Sequence, residues 1–333
     1  MVPQATVVLD SVEQLLEGAH DRTPLISNGK SGAVLERVTI DGTSYVVKYL
    51  DLASDWTMRA SGFDGFAPVE LWRRGVLAAL PACIRQPIVG VAVDARGGTE
   101  QAVLLMEDMS AWLVPSSDDP IPEEQNASFL DAMATVHASY WDTELPIDVV
   151  TVANRYLELS PSMGEDERAR GSDDLVPQLV RQGWPMLADV APRAAAVVVP
   201  LAHDPGRLVD ALAATPQTFV HGNWKLDNLG TDDAGRTVLF DWEIPGRAAP
   251  VSDLAWYLSI NCRRLPVTKQ ATIDLYRAAL ERQGVDTGPW WDRQLGLCLL
   301  GALVQFGWEK ALGGYDDELA WWEEQAVRAE ELL

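Results

Sequence analysis

Hydrophobic and polar positions alternate in short runs through the first hundred residues and take on helical spacing beyond about residue 120. Residues 33–40 (AVLERVTI) and 43–50 (TSYVVKYL) are rich in branched side chains and flank Asp41-Gly42, a two-residue turn signal, so they predict a hairpin. A helix is expected over 68–80, with Pro68 in its first turn and Val69, Trp72, Val76 and Leu80 near one face. Strands at 86–94 and 101–107 flank the turn-like Ala95-Arg96-Gly97-Gly98. The order is strand, strand, helix, strand, strand. A polar, proline-bounded stretch, Pro115-Ser116-Ser117-Asp118-Asp119-Pro120, marks the expected junction between lobes spanning 1–108 and 109–333. The second lobe reads as helices near 126–141, 174–189, 205–214, 252–260, 267–284 and 290–331, interrupted by short hairpin strands around 229–241. Residues 160–174, with Gly164 and Gly171, predict a mobile loop, and no internal repeat is visible.

Length and composition narrow the class. At 333 residues the chain has roughly twice the length of an average domain. With 47% hydrophobic and 23% charged residues, disorder as the main state is excluded. Cys83, Cys262 and Cys298 have neither CxxC nor CxxH spacing, which argues against a disulfide framework or zinc site and reads as reduced thiols in a cytoplasm. The N-terminus lacks the pattern of a secretory signal, and the apolar stretch at about 295–308 is expected to be a buried helix too short to span a bilayer. The expected localisation is cytoplasmic.

Net charge is −23, with 9 Lys+Arg against 14 Asp+Glu in residues 1–110 and 17 against 35 in the rest. Such a field disfavours nucleic acid and anionic membranes as partners and suits a cationic small molecule. A solvated acidic surface that aids solubility would have the same composition.

Four groups of residues carry chemistry. Asn28-Gly29-Lys30-Ser31-Gly32 is a glycine-bearing turn whose backbone N–H groups can approach phosphate. Its Gly-Lys-Ser imitates a phosphate-binding P-loop, but that motif needs a glycine where Pro24 stands. Lys48 closes an apolar strand and can reach nucleotide phosphates if a carboxylate holds it; Glu70, on the next expected helix, is the natural partner. His221-Gly222-Asn223-Trp224-Lys225-Leu226-Asp227-Asn228 precedes Asp241-Trp242-Glu243. A hairpin around Asp232-Asp233-Ala234-Gly235 would fold Asn228 back toward Asp241, where an amide oxygen and a carboxylate suit Mg²⁺, with Glu243 as a further ligand.

In this order the segments resemble the aminoglycoside phosphotransferase and choline kinase group of small-molecule kinases, whose fold is similar to that of protein kinases. The resemblance runs from about residue 25 to the C-terminus and implies an α+β, protein-kinase-like two-lobed fold with a small antiparallel-sheet N-lobe and a mainly helical C-lobe. It implies ATP and Mg²⁺ as cofactors. Gly29, Ser31, Gly32, Lys48, Glu70 and the hinge residues Met106, Glu107 and Met109 would bind nucleotide, and Asn228, Asp241 and Glu243 the metal. Asp253, in Asp253-Leu254-Ala255, matches a structural aspartate that braces the catalytic loop.

One position departs from the family, whose loop reads His-Gly-Asp, four residues, then Asn: here Asn223 replaces the aspartate. An amide hydrogen-bonds a hydroxyl but cannot accept its proton, which costs on the order of 10²–10⁴ in rate while leaving nucleotide binding possible. Asp227 is a weaker candidate for the base, since it adjoins the metal position Asn228 rather than standing at the base position. Lys225 would neutralise charge on the transferring phosphoryl group, His221 would support the loop by hydrogen bonds, and His137 reads as a packed histidine.

The implied activity is ATP-dependent phosphoryl transfer to a small hydroxyl-bearing, cationic acceptor: an aminoglycoside-like antibiotic, aminosugar or amino-alcohol, with antibiotic resistance as one context. Core packing is the commonest role of Trp290, Trp291, Trp308, Trp321 and Trp322; in this fold the same helices would form the acceptor wall, beside Asp316, Asp317, Glu318, Glu323 and Glu324. The protein would act as a monomer or homodimer. Asn223 marks either an enzyme altered at its base or a natural pseudokinase that binds nucleotide as a scaffold or regulator. A kinase acting on protein side chains is disfavoured because no activation segment is evident between Asp241 and Asp253.

Overall fold

Branched residues in the first hundred positions build one antiparallel sheet from β1 (His20–Leu25), β2 (Val34–Ile40), β3 (Thr43–Asp51), β5 (Ile88–Asp94) and β6 (Gln101–Glu107), ordered β1-β2-β3-β6-β5. The computed structural model describes residues 6–25, 33–94, 100–141, 143 and 149–333. The turn between β2 and β3 is the expected one: Asp41 and Gly42 both take positive φ, 48° and 75°, the backbone that matches a hairpin's twist. Alternation along β3 turns Val47 toward a core with Val38, Ala92, Val103 and Leu105, closed by Leu15 and Leu16 at the end of α1 (Val12–Leu15). Lys48 therefore points to the opposite face.

The chain forms two compact units: Met1–Pro115 with Asp227–Glu243, and Ser116–Leu226 with Ile244–Leu333. The first also holds α2 (Trp56–Ala60) and α3 (Ala67–Arg73), and a second sheet in which β4 (Ile84–Arg85) pairs in parallel with β9 (Thr237–Leu239), itself antiparallel to β8 (Leu229–Thr231). Asp232 makes the β8–β9 turn: one carboxylate oxygen accepts the N–H groups of Ala234 (3.0 Å) and Arg236 (2.9 Å).

The second unit is helical, with α4 (Glu123–Ser139), α5 (Val152–Leu157), α6 (Pro161–Arg170), α7 (Leu175–Val190), α8 (Pro192–His203), α9 (Gly206–Ala213), α10 (Val251–Ile260), α11 (Lys269–Arg282), α12 (Trp291–Leu312) and α13 (Asp317–Ala329). One antiparallel pair, β7 (Thr218–Val220) with β10 (Gly246–Ala248), completes it. Helix α12 is the axis, packed against α7, α8, α10 and α13. It is long and apolar enough to cross a membrane, contrary to the shorter span expected, and 78% of its most apolar window is buried inside the protein.

Four expectations change. The helix expected over 68–80 ends at Arg73, and a separate 3-10 turn follows Gly75. Residues 160–174 hold helix α6 rather than a loop: Ser160 Oγ caps it through Met163 N–H (3.2 Å), and Pro161 opens it. The run at 290–331 is two helices, divided around Gly313-Gly314. Strand β1 and helices α2, α5 and α8 have no counterpart in the sequence reading.

Candidate active site

In the first unit β3 delivers Lys48 to two acids, one partly buried and one buried. Its Nζ lies 2.7 Å from Asp241 Oδ1 and in contact with Glu243 Oε1. The β8–β9 hairpin returns the chain so that Phe240 N–H bonds Asn228 C=O (3.3 Å), and Asn228 Nδ2 donates to Asp241 Oδ2 (3.3 Å). Asp241 itself sits at φ +68°, a left-handed conformation uncommon outside glycine and more often tolerated by aspartate. Burial alone would strip the charge from Lys48; the fields of Asp241 and Glu243 and their hydrogen bonds outweigh it, and the lysine pKa is raised. Glu243 is pushed upward, first by burial and then by the Asp241 charge, with Lys48 opposing.

The expected Lys48–Glu70 pair does not form. Glu70 is engaged by residues of its own helix surface, in contact with Arg73 and 3.8 Å from Arg74, while Glu243 and Asp241 take the lysine. Partners at i+3 and i+4 meet without any tertiary closure, which favours the local pair. At the hinge, Met106 is held between Val46 of β3 and Ile88 of β5. Glu107 donates its N–H to Pro87 C=O (2.9 Å) and accepts from Arg85 (2.6 Å), and Met109 is buried. Gly29, Ser31 and Gly32 lie outside the described residues.

Among the described residues no group of three or more His, Cys, Asp or Glu is arranged to hold a metal ion. The side chains of Asn228 and Asp241 are oxygen donors of the kind and number that Mg²⁺ takes from protein when phosphates and waters supply the rest, and here Asn228 Nδ2 is the amide atom that meets Asp241 Oδ2. The chemistry of this pair suits that ion. Glu243 is spent on Lys48.

In the second unit β7 leads into the 221–225 loop, and Asp253, in the first turn of α10, holds it. Its Oδ2 accepts His221 N–H (2.8 Å) and its Oδ1 accepts Gly222 N–H (2.8 Å). With its proton on Nε2, His137 of α4 donates to Asp253 Oδ2 (3.2 Å), and its Nδ1 meets the Tyr276 hydroxyl at 2.6 Å. Burial would raise the Asp253 pKa; the His137 hydrogen bond and charge, with Arg155 beyond, hold it below the ordinary carboxylate range. Gly222 sits at φ +84°, and a Cβ there would run into Ile244 C=O and the Arg155 guanidinium. That guanidinium, 4.9 Å over the Trp256 ring, donates to the carbonyls of Gly222 and Ile244 (3.4 Å for the latter).

Asn223 N–H donates to His221 Nδ1 (3.1 Å), and its C=O accepts Lys225 N–H (2.9 Å). The His221 ring is fully buried, edge-on to Trp224. It buttresses the backbone of residue 223. Lys225 is partly exposed. Leu226 N–H closes the loop on Asn261 Oδ1 (3.1 Å). Arg155, Asn261 and Tyr276 are the residues of these networks that sequence reasoning missed. Only for Asn261, just past the apolar run of α10, does a polar residue in an otherwise buried stretch give a signal.

The aromatic and acidic C-terminus is mostly structural. Trp291, Trp308 and Trp322 are buried, while Trp290 and Trp321 are partly exposed. Glu323 accepts from Ala194 N–H (3.1 Å) and Tyr315 Oη (2.9 Å). Glu318 takes Trp322 Nε1 (2.6 Å), Lys269 and Lys310, Glu324 takes Arg328, and Asp316 caps α13 through Leu319 N–H (2.9 Å).

No protein-family model and no curated protein sequence matches the chain. Solved structures do. The choline kinase LicA from Streptococcus pneumoniae is similar at a TM-score of 0.54 and 14% identity over 97% of this chain and 96% of that one. The protein therefore has the protein-kinase-like fold, an antiparallel sheet in its N-terminal lobe and helices in its C-terminal lobe. Amicoumacin kinase hAmiN, in complex with AMP-PNP, Ca²⁺ and Ami, matches at 12% identity over 97% and 90% of the two chains. The aminoglycoside phosphotransferase APH(4)-Ia with AMP-PNP and hygromycin B matches at 14% identity over 96% of each. Both have TM-scores of 0.48, too weak to add to the fold.

Proposed function

We propose that the protein is an ATP-dependent O-phosphotransferase acting on a small hydroxyl-bearing, cationic molecule, with its base position occupied by Asn223. The observation that supports this best is the meeting of Lys48 with Asp241, and of Asp241 with Asn228, residues 193 and 13 positions apart. In this reading Lys48 positions the α and β phosphates and Glu243 keeps it in place. Asn228 and Asp241 hold Mg²⁺, which when bound neutralises phosphate charge. The Asp253 brace fixes residues 221 and 222, so that position 223 meets the acceptor hydroxyl with its direction set. Lys225 offsets charge on the phosphoryl group in transit. The cationic character of the acceptor rests on the net charge of −23 rather than on the C-terminal carboxylates, most of which are engaged. Work in the cytoplasm accords with Cys83, Cys262 and Cys298, which no disulfide joins.

A second reading, a pseudokinase that binds nucleotide as scaffold or regulator, is favoured by Asn223 alone. Asn223→Asp separates the two. ATP consumption by this variant is expected to rise about 10²–10⁴-fold with one member of a panel of amino-alcohols, aminosugars and antibiotics. Mg²⁺-ATP binding with no acceptor phosphorylated across the panel would favour the pseudokinase.

A further inference from the structure

Asp55 belongs to none of the motifs above, yet it is only 1% exposed. Its Oδ1 caps α2, accepting the N–H groups of Thr57 (2.9 Å) and Met58 (3.2 Å). Its Oδ2 is buried without a hydrogen-bond partner. A cap requires one oxygen and no charge, so serine or asparagine would serve as well. Burying a carboxylate with an idle oxygen is costly, and the cap does not account for it.

The lysine cluster is felt electrostatically at that carboxyl. Asp55 follows β3 closely, and its N–H bonds back to Asp51 C=O (2.9 Å) at the end of the strand that carries Lys48. Burial is the largest influence on its carboxyl and raises the pKa; the Lys48 charge favours the ionised form and the Asp241 charge opposes it. Asp55 in turn acts on Glu243. Three acids thus share the field of one lysine in the first unit, and among the described residues Asp241 and Glu243 are the ones that touch it. If Asp241 serves a cation, it can no longer serve the lysine fully. Glu70 is held by Arg73 and Arg74.

We infer that Asp55 is a positioning residue of the nucleotide site: its unused oxygen takes over the hold on Lys48 when Asp241 turns to the metal-bound nucleotide. This rests on the nucleotide-binding reading above. The lysine then passes from an Asp241–Glu243 pair to an Asp55–Glu243 pair, and stays ordered in both states.

The test uses the full chain with Asn223 in place, titrated calorimetrically with ATP in Mg²⁺ and again in EDTA. Asp55→Asn keeps the cap and removes the charge, and Asp55→Ser does the same if the first variant folds poorly. The expected result is about tenfold weaker binding of Mg²⁺-ATP and less than about twofold change for ATP in EDTA, where Asp241 still holds the lysine. In a Lys48→Met background the Asp55→Asn effect should vanish, which a cap acting through the fold alone would not produce. Equal weakening with and without metal, no weakening at all, or the metal-dependent loss appearing in Glu70→Gln instead would overturn the assignment of Asp55. Failure of the parent chain to bind Mg²⁺-ATP would sink the phosphotransferase reading itself, a separate outcome.

Discussion

Two buried carboxylates, Asp253 in the helical unit and Asp55 in the sheet unit, are each almost fully enclosed, and they differ in how their oxygens are used. Both oxygens of Asp253 are taken by the N–H groups of His221 and Gly222, with His137 and Tyr276 behind them. Asp55 has one oxygen that caps α2 and one without a partner among the described residues, in the field of a lysine already claimed by two other acids. The first network is electrostatically complete and shapes a loop. The second holds more acid than cation, an excess that the Mg²⁺ of the proposed function would offset. The scaffold and the proposed binding site thus differ in whether their buried charges are already satisfied.

Asp253→Asn should show the largest effect, because it replaces an acceptor of backbone N–H groups by an amide that cannot satisfy both. A loss of about 3–5 kcal/mol in unfolding free energy by urea titration is expected. The folded pKa of Asp253 is depressed, so its ionic contribution is present above the ordinary aspartate value of about 4 and lost as pH falls through the folded value. The stability gap between parent and variant should therefore be constant near neutrality and narrow in acid. A gap that widens in acid would mean that the network is not the finished one described.

Lys48→Met should unbalance the sheet unit in the opposite sense. Burial already raises the pKa of Asp55 and Glu243, and removing the lysine raises them further above their unfolded values. Such acids penalise the fold increasingly as pH rises from the unfolded toward the folded value. The variant should be destabilised by about 1–3 kcal/mol at pH 8 and recover toward the parent at pH 5, as read by thermal melts. A pH-independent deficit would show that the excess of acid is not real.

Gly222→Ala tests the rigidity of the finished side at a smaller scale. A side chain at φ +84° that also meets Ile244 C=O should cost about 1–3 kcal/mol and lower the turnover of an Asn223→Asp background. Unchanged stability would indicate a loop that yields.

Much of the fold was legible because local chemistry announces it. Asp41-Gly42 can scarcely be anything but a hairpin turn, and α7, α10 and α11 follow their apolar spacing within two residues. Helix α6 was announced as well, by Ser160-Pro161 at its start and Gly171 at its end; Gly164 suggests a loop but is small because Arg181 and Pro177 pack against it. Strand β1, exposed and containing Pro24, carries no alternation to read.

In the proposed site, the motif order pointed to Lys48, Asn228, Asp241 and Asp253, and the structure brings Lys48, Asp241 and Asn228 together. The lysine's true partners were hidden, because which carboxylate turns inward is decided by tertiary closure. Even so, Arg73 and Arg74, three and four residues past Glu70, signalled that this acid was already engaged.

The pairing of β4 with β9 has a consequence in time. Arg85 of β4 lies beside Val238, so the second sheet of the first unit cannot form until a strand much later in the chain has been made. At ribosomal speeds that interval is roughly 8–30 s. During it α4 to α9 emerge and can begin to pack, while β4 waits with its edge exposed. Synthesis of this protein thus has a built-in order, in which Asp241 and Glu243, the acids that touch Lys48, arrive long after the lysine itself.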